Sequence, residues 1–246
     1  MKTILKTGNL PKGKSRVNSV LKDVTTMNKI SKKQLSKLSL YMSTFDGGVY
    51  RNGNSNARFI INMLAVNRDY LEWVQSTLLE VTSVTIKERK DYNTDGCIRQ
   101  PQLRLESSNH PFFTQIRNRI YIENHKVIDP HMLKLMDAEA LSIIFMADGG
   151  TVLDNRFKTP HCSITLNTKG FSHADNLPLS KAIYVATGIR TTIQKQNQYR
   201  YLRVKTADVH LFVRTVTPYL CKSFFYKFER IAPCLNKGDE IVWPPQ

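Results

Sequence analysis

"LSIIFMADGG", residues 141–150, is an apolar run that stops on an acid and two glycines. About a hundred residues earlier stands "LSLYMSTFDGG", residues 38–48. Each run has the spacing of a buried helix, and each glycine pair is a helix stop. Alone, either reads as a core helix closed by a glycine cap, its acid left at the surface. Together they pose a duplication. Leu38 and Leu141 are 103 positions apart, Asp46 and Asp148 are 102 apart, and Lys126 and Lys227 are 101 apart. Three landmarks at nearly one offset predict two similar halves related by a pseudo-two-fold axis. Such an axis suits double-stranded DNA, whose backbone is itself two-fold symmetric.

The segments between these landmarks repeat in order. In the first half, "KKQLSKLSLYMSTF" reads as a helix, "NARFIINMLAV" as a strand, and "DYLEWVQSTLLEV" as an amphipathic helix with Asp69 as its cap. "SVTIKERK" and "QPQLRLES" alternate around a "TDG" turn, and "PFFTQIRNRIYI" is helical again. In the second half, "MDAEALSIIFMA" is a helix, "HCSITLNT" a strand, and "ADNLPLSKAIYVATG" a helix closed by Gly188. "IRTTIQKQ" and "YRYLRVKT" pair across "NQ", and "ADVHLFVRTVTPYL" closes the half as a helix. With short strands after each glycine pair, the expected fold is α+β: two αββαββα halves, each with a four-stranded antiparallel sheet, the acid-ended helices packed at their interface. The expected divisions are a basic N-terminal arm over 1–33, a first repeat over 34–125, a linker over 126–136, a second repeat over 137–230 and a tail over 231–246.

The chain has 246 residues, 36 Lys and Arg against 20 Asp and Glu, and a formal net charge of +16. A charge that large points to a polyanionic partner, nucleic acid first and an anionic membrane surface second. The four cysteines form no CxxC pair and read as free thiols of a reducing compartment. No run approaches the roughly 18 apolar residues of a membrane span. The start lacks an apolar signal core. The expected location is intracellular with access to DNA, in a bacterial or phage-host cytoplasm or an organelle matrix. The histidines make no HExxH or His/Cys zinc pattern.

With both motifs in place, the sequence resembles the LAGLIDADG homing endonucleases in their single-chain, two-motif form, over roughly residues 35–230. "LSIIFMADGG" carries the likeness most strongly, and "CSITLNTKGFS" looks like the second half of intron-encoded members. The resemblance implies a monomer whose two motif helices pack side by side. Ser39 and Thr44 in one, Ser142 and Ala147 in the other, would let the backbones approach. Asp46 and Asp148 would meet beneath the DNA. Two carboxylates so close repel unless cations neutralise them, and Mg²⁺ or Mn²⁺ suits carboxylate, water and phosphate oxygens. The implied reaction is hydrolysis of one phosphodiester in each strand, across the minor groove, leaving short 3′ overhangs. Lys126 and Lys227 match the basic residue the family places near each scissile phosphate, where positive charge stabilises the transition state. An alternative on the same fold is a maturase that binds intron RNA and assists group I splicing.

In one respect the first motif departs from the second. Aligned on the leucines, Phe45 is an extra residue just before Asp46. A π-bulge or an asymmetric helix pair would accommodate it. The expectation is local distortion around Thr44–Asp46 that brings Asp46 to the depth of Asp148.

Alternate side chains of the strands would face the major groove. In the first half these are Arg58, Thr85, Lys87, Arg89, Gln102 and Arg104. In the second, Ser163, Thr165 and Asn167 share one strand face. Arg190, Thr192, Gln194 and Gln196 share another, and Tyr201, Arg203 and Lys205 a third. Arg and Gln are the types best shaped for bidentate contact with guanine and adenine.

Overall fold

The structure, a computed structural model, describes residues 30–89, 100–154 and 161–235. The "TDG" turn and most of both expected tails lie outside these residues. Residues 1–31 form a separate unit, and everything below concerns the unit that begins at Lys32.

The first half opens with helix α1 (Lys32–Tyr41), which runs directly into a π-helical turn at Met42–Asp46. Strands β1 (Gly48–Tyr50) and β2 (Arg58–Leu64) follow, then helix α2 (Arg68–Leu78). Strands β3 (Val84–Arg89) and β4 (Gln102–Ser107) precede helix α3 (Pro111–Ile120). The second half has α5 (Ala138–Asp148), β7 (Gly149–Asp154), β8 (His161–Leu166) and α6 (His173–Thr187). It continues with β9 (Thr191–Gln196), β10 (Tyr199–Val204) and α7 (Val209–Val216). Between the halves lie a two-residue-strand hairpin, β5 (Tyr121–Ile122) with β6 (His125–Lys126), and a short helix α4 (Pro130–Lys134). Helix α8 (Tyr226–Glu229) follows the second half.

Both sheets are antiparallel and have the same order, β1-β2-β4-β3 and β7-β8-β10-β9. Alternation decides their faces. Phe59, Ile61, Leu103 and Leu105 point into the core of the first half, as do Ile164, Leu166, Leu202 and Val204 in the second. The charged and polar residues between them face outward. Helices cover one side of each sheet, so the fold is the expected α+β duplication.

Local chemistry explains most element ends. His110 and Asp129 cap α3 and α4, each followed by a proline in the first turn. Asp137 caps α5 through the Ala140 amide. Ser172 and Asp175 form a reciprocal capping box on α6, and Gly188 ends that helix at φ 74°, where a side chain would be strained. Pro178 lies in this helix's second turn.

Four details differ from the sequence expectation. Asp69 is not the cap of α2; Asn67 precedes that helix, and Asp69 lies in its first turn. Its Oδ1 accepts from the Tyr70 amide and its Oδ2 from the Ser223 amide of the other half. The "PFFTQIRNRIYI" helix ends at Ile120, because Tyr121 and Ile122 turn back through Glu123 and Asn124, both at positive φ, to pair with His125 and Lys126. The hairpin ends at Lys126, where the expected linker begins, and that linker carries helix α4. Ile231 is fully buried and Ala232–Cys234 makes a 3₁₀ turn beyond it.

Candidate active site

The two motif helices α1 and α5 pack against each other at the centre of the unit. Ser39, Ser43, Thr44 and Ser142 are buried there, and small side chains permit that closeness. Thr44 and Ser142 return their hydroxyls to helix carbonyls, Leu40 O at 2.7 Å and Glu139 O at 2.7 Å. At the far end of the pair, Lys37 of α1 bridges Asp137 (2.5 Å) and Glu139 (2.8 Å) of α5, and Gln34 donates to Glu139. This polar lock fixes the register of one helix against the other.

The near ends carry the acids. α5 stays α-helical through Asp148, its last bond running from the Gly149 amide to Phe145 O. In the first helix, the Gly47 amide reaches back to Met42 O at 2.7 Å, five residues away. That wider turn absorbs Phe45. The Phe45 ring stacks on Tyr41 (6.2 Å between centroids) and meets Phe171 of the second half edge-on at 5.5 Å. The extra residue is thus spent on an interface contact, and Asp46 stays at the end of its helix.

The carboxylates interact. Burial raises both to about 6, well above the ordinary carboxylate value, and the Asp148 charge pushes Asp46 further up. Lys126 and Lys227 pull both back down. Asp46 has one more neighbour, Tyr70, whose buried hydroxyl favours the ionised acid. Neither Tyr70 Oη nor Asp46 Oδ2 reaches ordinary hydrogen-bond geometry. Asp46 Oδ2 is therefore a buried oxygen that faces the Tyr70 hydroxyl without a hydrogen bond of ordinary geometry, and a further ligand would complete its surroundings.

The lysines occupy matched positions. Lys126 Nζ donates to Thr44 O (3.0 Å) and Gly47 O (2.5 Å). Lys227 Nζ donates to Met146 O (2.9 Å) and Gly149 O (2.8 Å), and also to Phe145 O (2.8 Å). Counted from each aspartate, two of these carbonyls are the same in both halves: two residues before it and one after. Each ammonium thus sits at the negative end of a helix dipole, beside the acid that ends the helix. Burial lowers both lysines, Lys227 to about 8. The scaffolds differ: Lys126 rides on β6, buttressed by Arg117, which donates to Val49 O (2.6 Å) and Asn124 Oδ1 (3.1 Å). Lys227 rides on α8, its carbonyl accepting from Thr151 Oγ1 at 2.5 Å.

The first glycine after each acid is sterically fixed. A Cβ on Gly149 would lie 2.3 Å from Phe145 O, and one on Gly47 would lie 2.2 Å from the ring of buried Phe59. The second glycines are looser. The nearest atoms to a Cβ on Gly48 belong to the ring of exposed Tyr50, and a Cβ on Gly150 would meet Thr165 Oγ1 at 3.3 Å.

On the outward sheet faces the structure places Arg58, Thr85, Lys87, Arg89, Gln102 and Arg104 together in the first half. Ser163, Thr165, Thr192, Gln194, Tyr201 and Arg203 lie together in the second. Arg190 is paired with an acid. It precedes β9, and its guanidinium forks onto Asp208, with Nε to Oδ2 at 2.8 Å and Nη2 to Oδ1 at 2.6 Å. It locks the entry of β9 to the start of α7. Lys205 follows β10 and is exposed. Sequence reasoning missed Glu106, which stands among the arginines, bridging Arg58 (2.6 Å) and Arg104 (3.2 Å). It also missed Tyr70, Lys37 and Asp137. Strand alternation put Glu106 on the same face as Arg104 and could have found it.

Two αββαββα halves with acid-ended helices joined at their centre define a pseudo-dimeric class of proteins. The chain belongs to the LAGLIDADG DNA endonuclease family, whose model matches residues 45–212. Among solved structures, the chain is similar to the homing endonuclease I-WcaI bound to its DNA recognition sequence, with a TM-score of 0.67 at 21% identity, covering 88% of this chain and 94% of that one. At that identity the likeness is one of fold. The meganuclease I-SmaMI bound to uncleavable DNA gives a TM-score of 0.49 at 12% identity, covering 83% and 90%. An uncharacterized protein of Methanocaldococcus jannaschii is 34% identical over 122 residues, 49% of this chain; the match spans 45% of that relative's length.

Among the described residues, Cys162, Cys221 and Cys234 are not disulfide-bonded, no helix is long and apolar enough to cross a membrane, and no three His, Cys, Asp or Glu side chains cluster as a metal site.

Proposed function

We propose that this chain is a monomeric, site-specific endonuclease of double-stranded DNA that cuts one phosphodiester in each strand of a long asymmetric site and leaves short 3′ overhangs. The observation that carries the reading is the matched pair of helix ends. Each presents an aspartate beside a lysine, and the Asp148 charge raises the cost of ionising Asp46.

A divalent cation fits this site. The donors are carboxylate oxygens, one of them, Asp46 Oδ2, buried and without a hydrogen bond of ordinary geometry. Two side chains cannot fill a coordination shell, so water and DNA phosphate oxygens would complete it, as Mg²⁺ or Mn²⁺ prefers. Asp46 and Asp148 would hold the metal, which when bound supplies an activated water and positive charge at the departing sugar oxygen. The chain's own residues do the rest. The polar lock at Lys37 and the packing of Phe45 hold the acids in register. Lys126 and Lys227, tethered to helix carbonyls, keep positive charge beside the reacting phosphates. The outward sheet faces bind the DNA through arginine, lysine and glutamine side chains.

The test is incubation of the purified chain with plasmids carrying the intronless host locus, with and without Mg²⁺. Metal-dependent linearisation that Asp148→Asn abolishes is expected. Binding without cleavage at any candidate locus would remove the nuclease reading.

A further inference from the structure

The proposed DNA face of the first half contains an acid, which a surface meeting phosphates would ordinarily exclude. Glu106 stands on β4, paired with Ile60 of β2 and Thr85 of β3. Its Oε1 lies 2.6 Å from Arg58 Nη1, and its Oε2 lies 3.2 Å from Arg104 Nε. The three side chains are between 30% and 41% exposed, half in and half out of the surface. Arg58 and Arg104 also border a depression of about 470 Å³ floored by Ile60 and walled by Asn62 and Tyr50.

The second half has no acid at the matching position; its Asp154, on β7, borders a depression with Ser163 and Arg203. Registers make the comparison residue by residue. Gly48 pairs with Ile60, which pairs with Glu106; Gly150 pairs with Thr165, which pairs with Arg203. Where the first half has Arg58, Glu106 and Arg104, the second therefore has Ser163, Arg203 and Tyr201. At these positions one sheet carries an arginine–acid–arginine triad, and the other a serine, an arginine and a tyrosine.

We propose that Glu106 is a positioning residue for base recognition: it fixes Arg104, with Arg58 beside it, as a rigid fork that reads guanine in the half-site bound by the first half. The proposal rests on the DNA-binding reading above. A free arginine side chain loses much rotamer freedom on binding, and a tethered one has already lost it. Glu106 faces Nε as an ion pair at 3.2 Å without closing a hydrogen bond, which leaves Nη1 and Nη2 as the parallel donors that span guanine O6 and N7. The acid has a cost, because its charge opposes the phosphates and weakens binding to all DNA. Selectivity is what such a cost obtains.

The test is selection from a randomised double-stranded DNA library by the full chain without Mg²⁺, followed by sequencing of the bound pool. The wild-type protein, Glu106→Gln, Glu106→Asp, Arg104→Ala and Arg203→Ala are compared. Expected is a guanine preference that Arg104→Ala abolishes and Glu106→Gln cuts about tenfold, the scale of one bidentate contact. Affinity for unrelated DNA should rise in Glu106→Gln. The position lost in Arg203→Ala should lie elsewhere and be untouched by Glu106→Gln. Glu106→Asp, which keeps the charge on a shorter stem, should fall between and guards against misfolding of the glutamine variant. Affinity that rises in Glu106→Gln with every preference intact would overturn the proposal. So would loss of a cytosine preference that Arg104→Ala leaves in place, because Glu106 would then read the base itself. A wild-type protein that enriches no sequence would remove the DNA reading and this inference with it.

Discussion

Asp46 and Asp148 work against the fold that holds them. Burial raises each from 3.8 to about 6, so the folded chain binds more protons than the unfolded chain between those values. Stability therefore falls as pH rises through that window and is still missing at pH 7. The loss is about 1–2 kcal/mol for each acid, less than the full shift because both are partly exposed. In metal-free buffer at pH 7, Asp148→Asn should accordingly melt a few degrees higher than wild type. Added Mg²⁺ should narrow or reverse that gap, since only the wild-type pair gains from a cation. Calorimetry with and without chelator checks both. Sequence reading found these acids, because a repeat offset needs no geometry. It could not find Tyr70, whose part depends on which side chains the fold turns toward Asp46. It also assigned Arg190 to the DNA face, and the pairing of that guanidinium with Asp208 is a contact strand alternation does not reveal.

At the scale of elements, the π-turn and the two lysine tethers carry the site. Phe45 is nearly buried and bridges the halves through Phe171. Phe45→Ala should cost about 3–5 kcal/mol in urea unfolding, the range for truncating a buried phenylalanine. The extra residue was visible in the alignment of the two motifs, and the helix answered it by a five-residue hydrogen bond. Lys227→Met should destabilise by about 1–3 kcal/mol, because three carbonyls lose a charged donor. It should also depress cleavage more than DNA binding, measured as nicking rate against gel-shift affinity. The elements missed in sequence are the shortest ones. The β5–β6 hairpin has two residues per strand, too few for periodicity to register, yet it places Lys126.

For the whole molecule, the charge of +16 is a statement about salt. If the two sheets bring six to ten phosphate contacts, affinity should fall about 10³- to 10⁵-fold between 50 and 200 mM salt. Fluorescence anisotropy over that range checks it, and a shallow slope would mean that few of the outward lysines and arginines reach the backbone. The duplicated architecture was legible from two motifs and one spacing, because a repeat constrains every element between its landmarks. Contacts that cross from one half to the other or to the segment between them, such as Asp69 to the Ser223 amide and Asp175 to the Ile128 amide, were not. They join residues far apart in the chain, and no local pattern marks them.

The glycine pairs bear on how this chain can vary. In a library with every residue tried at every position and selected for cleavage, the first glycine of each pair should admit no substitute. At Gly149 the obstacle is a backbone oxygen that cannot step aside, and at Gly47 it is the ring of a buried phenylalanine. The second glycines should accept alanine, Gly48 by a swing of the exposed Tyr50 ring and Gly150 by a small shift of Thr165. A motif written as two equal letters would then prove to be one obligatory letter and one that is free to drift.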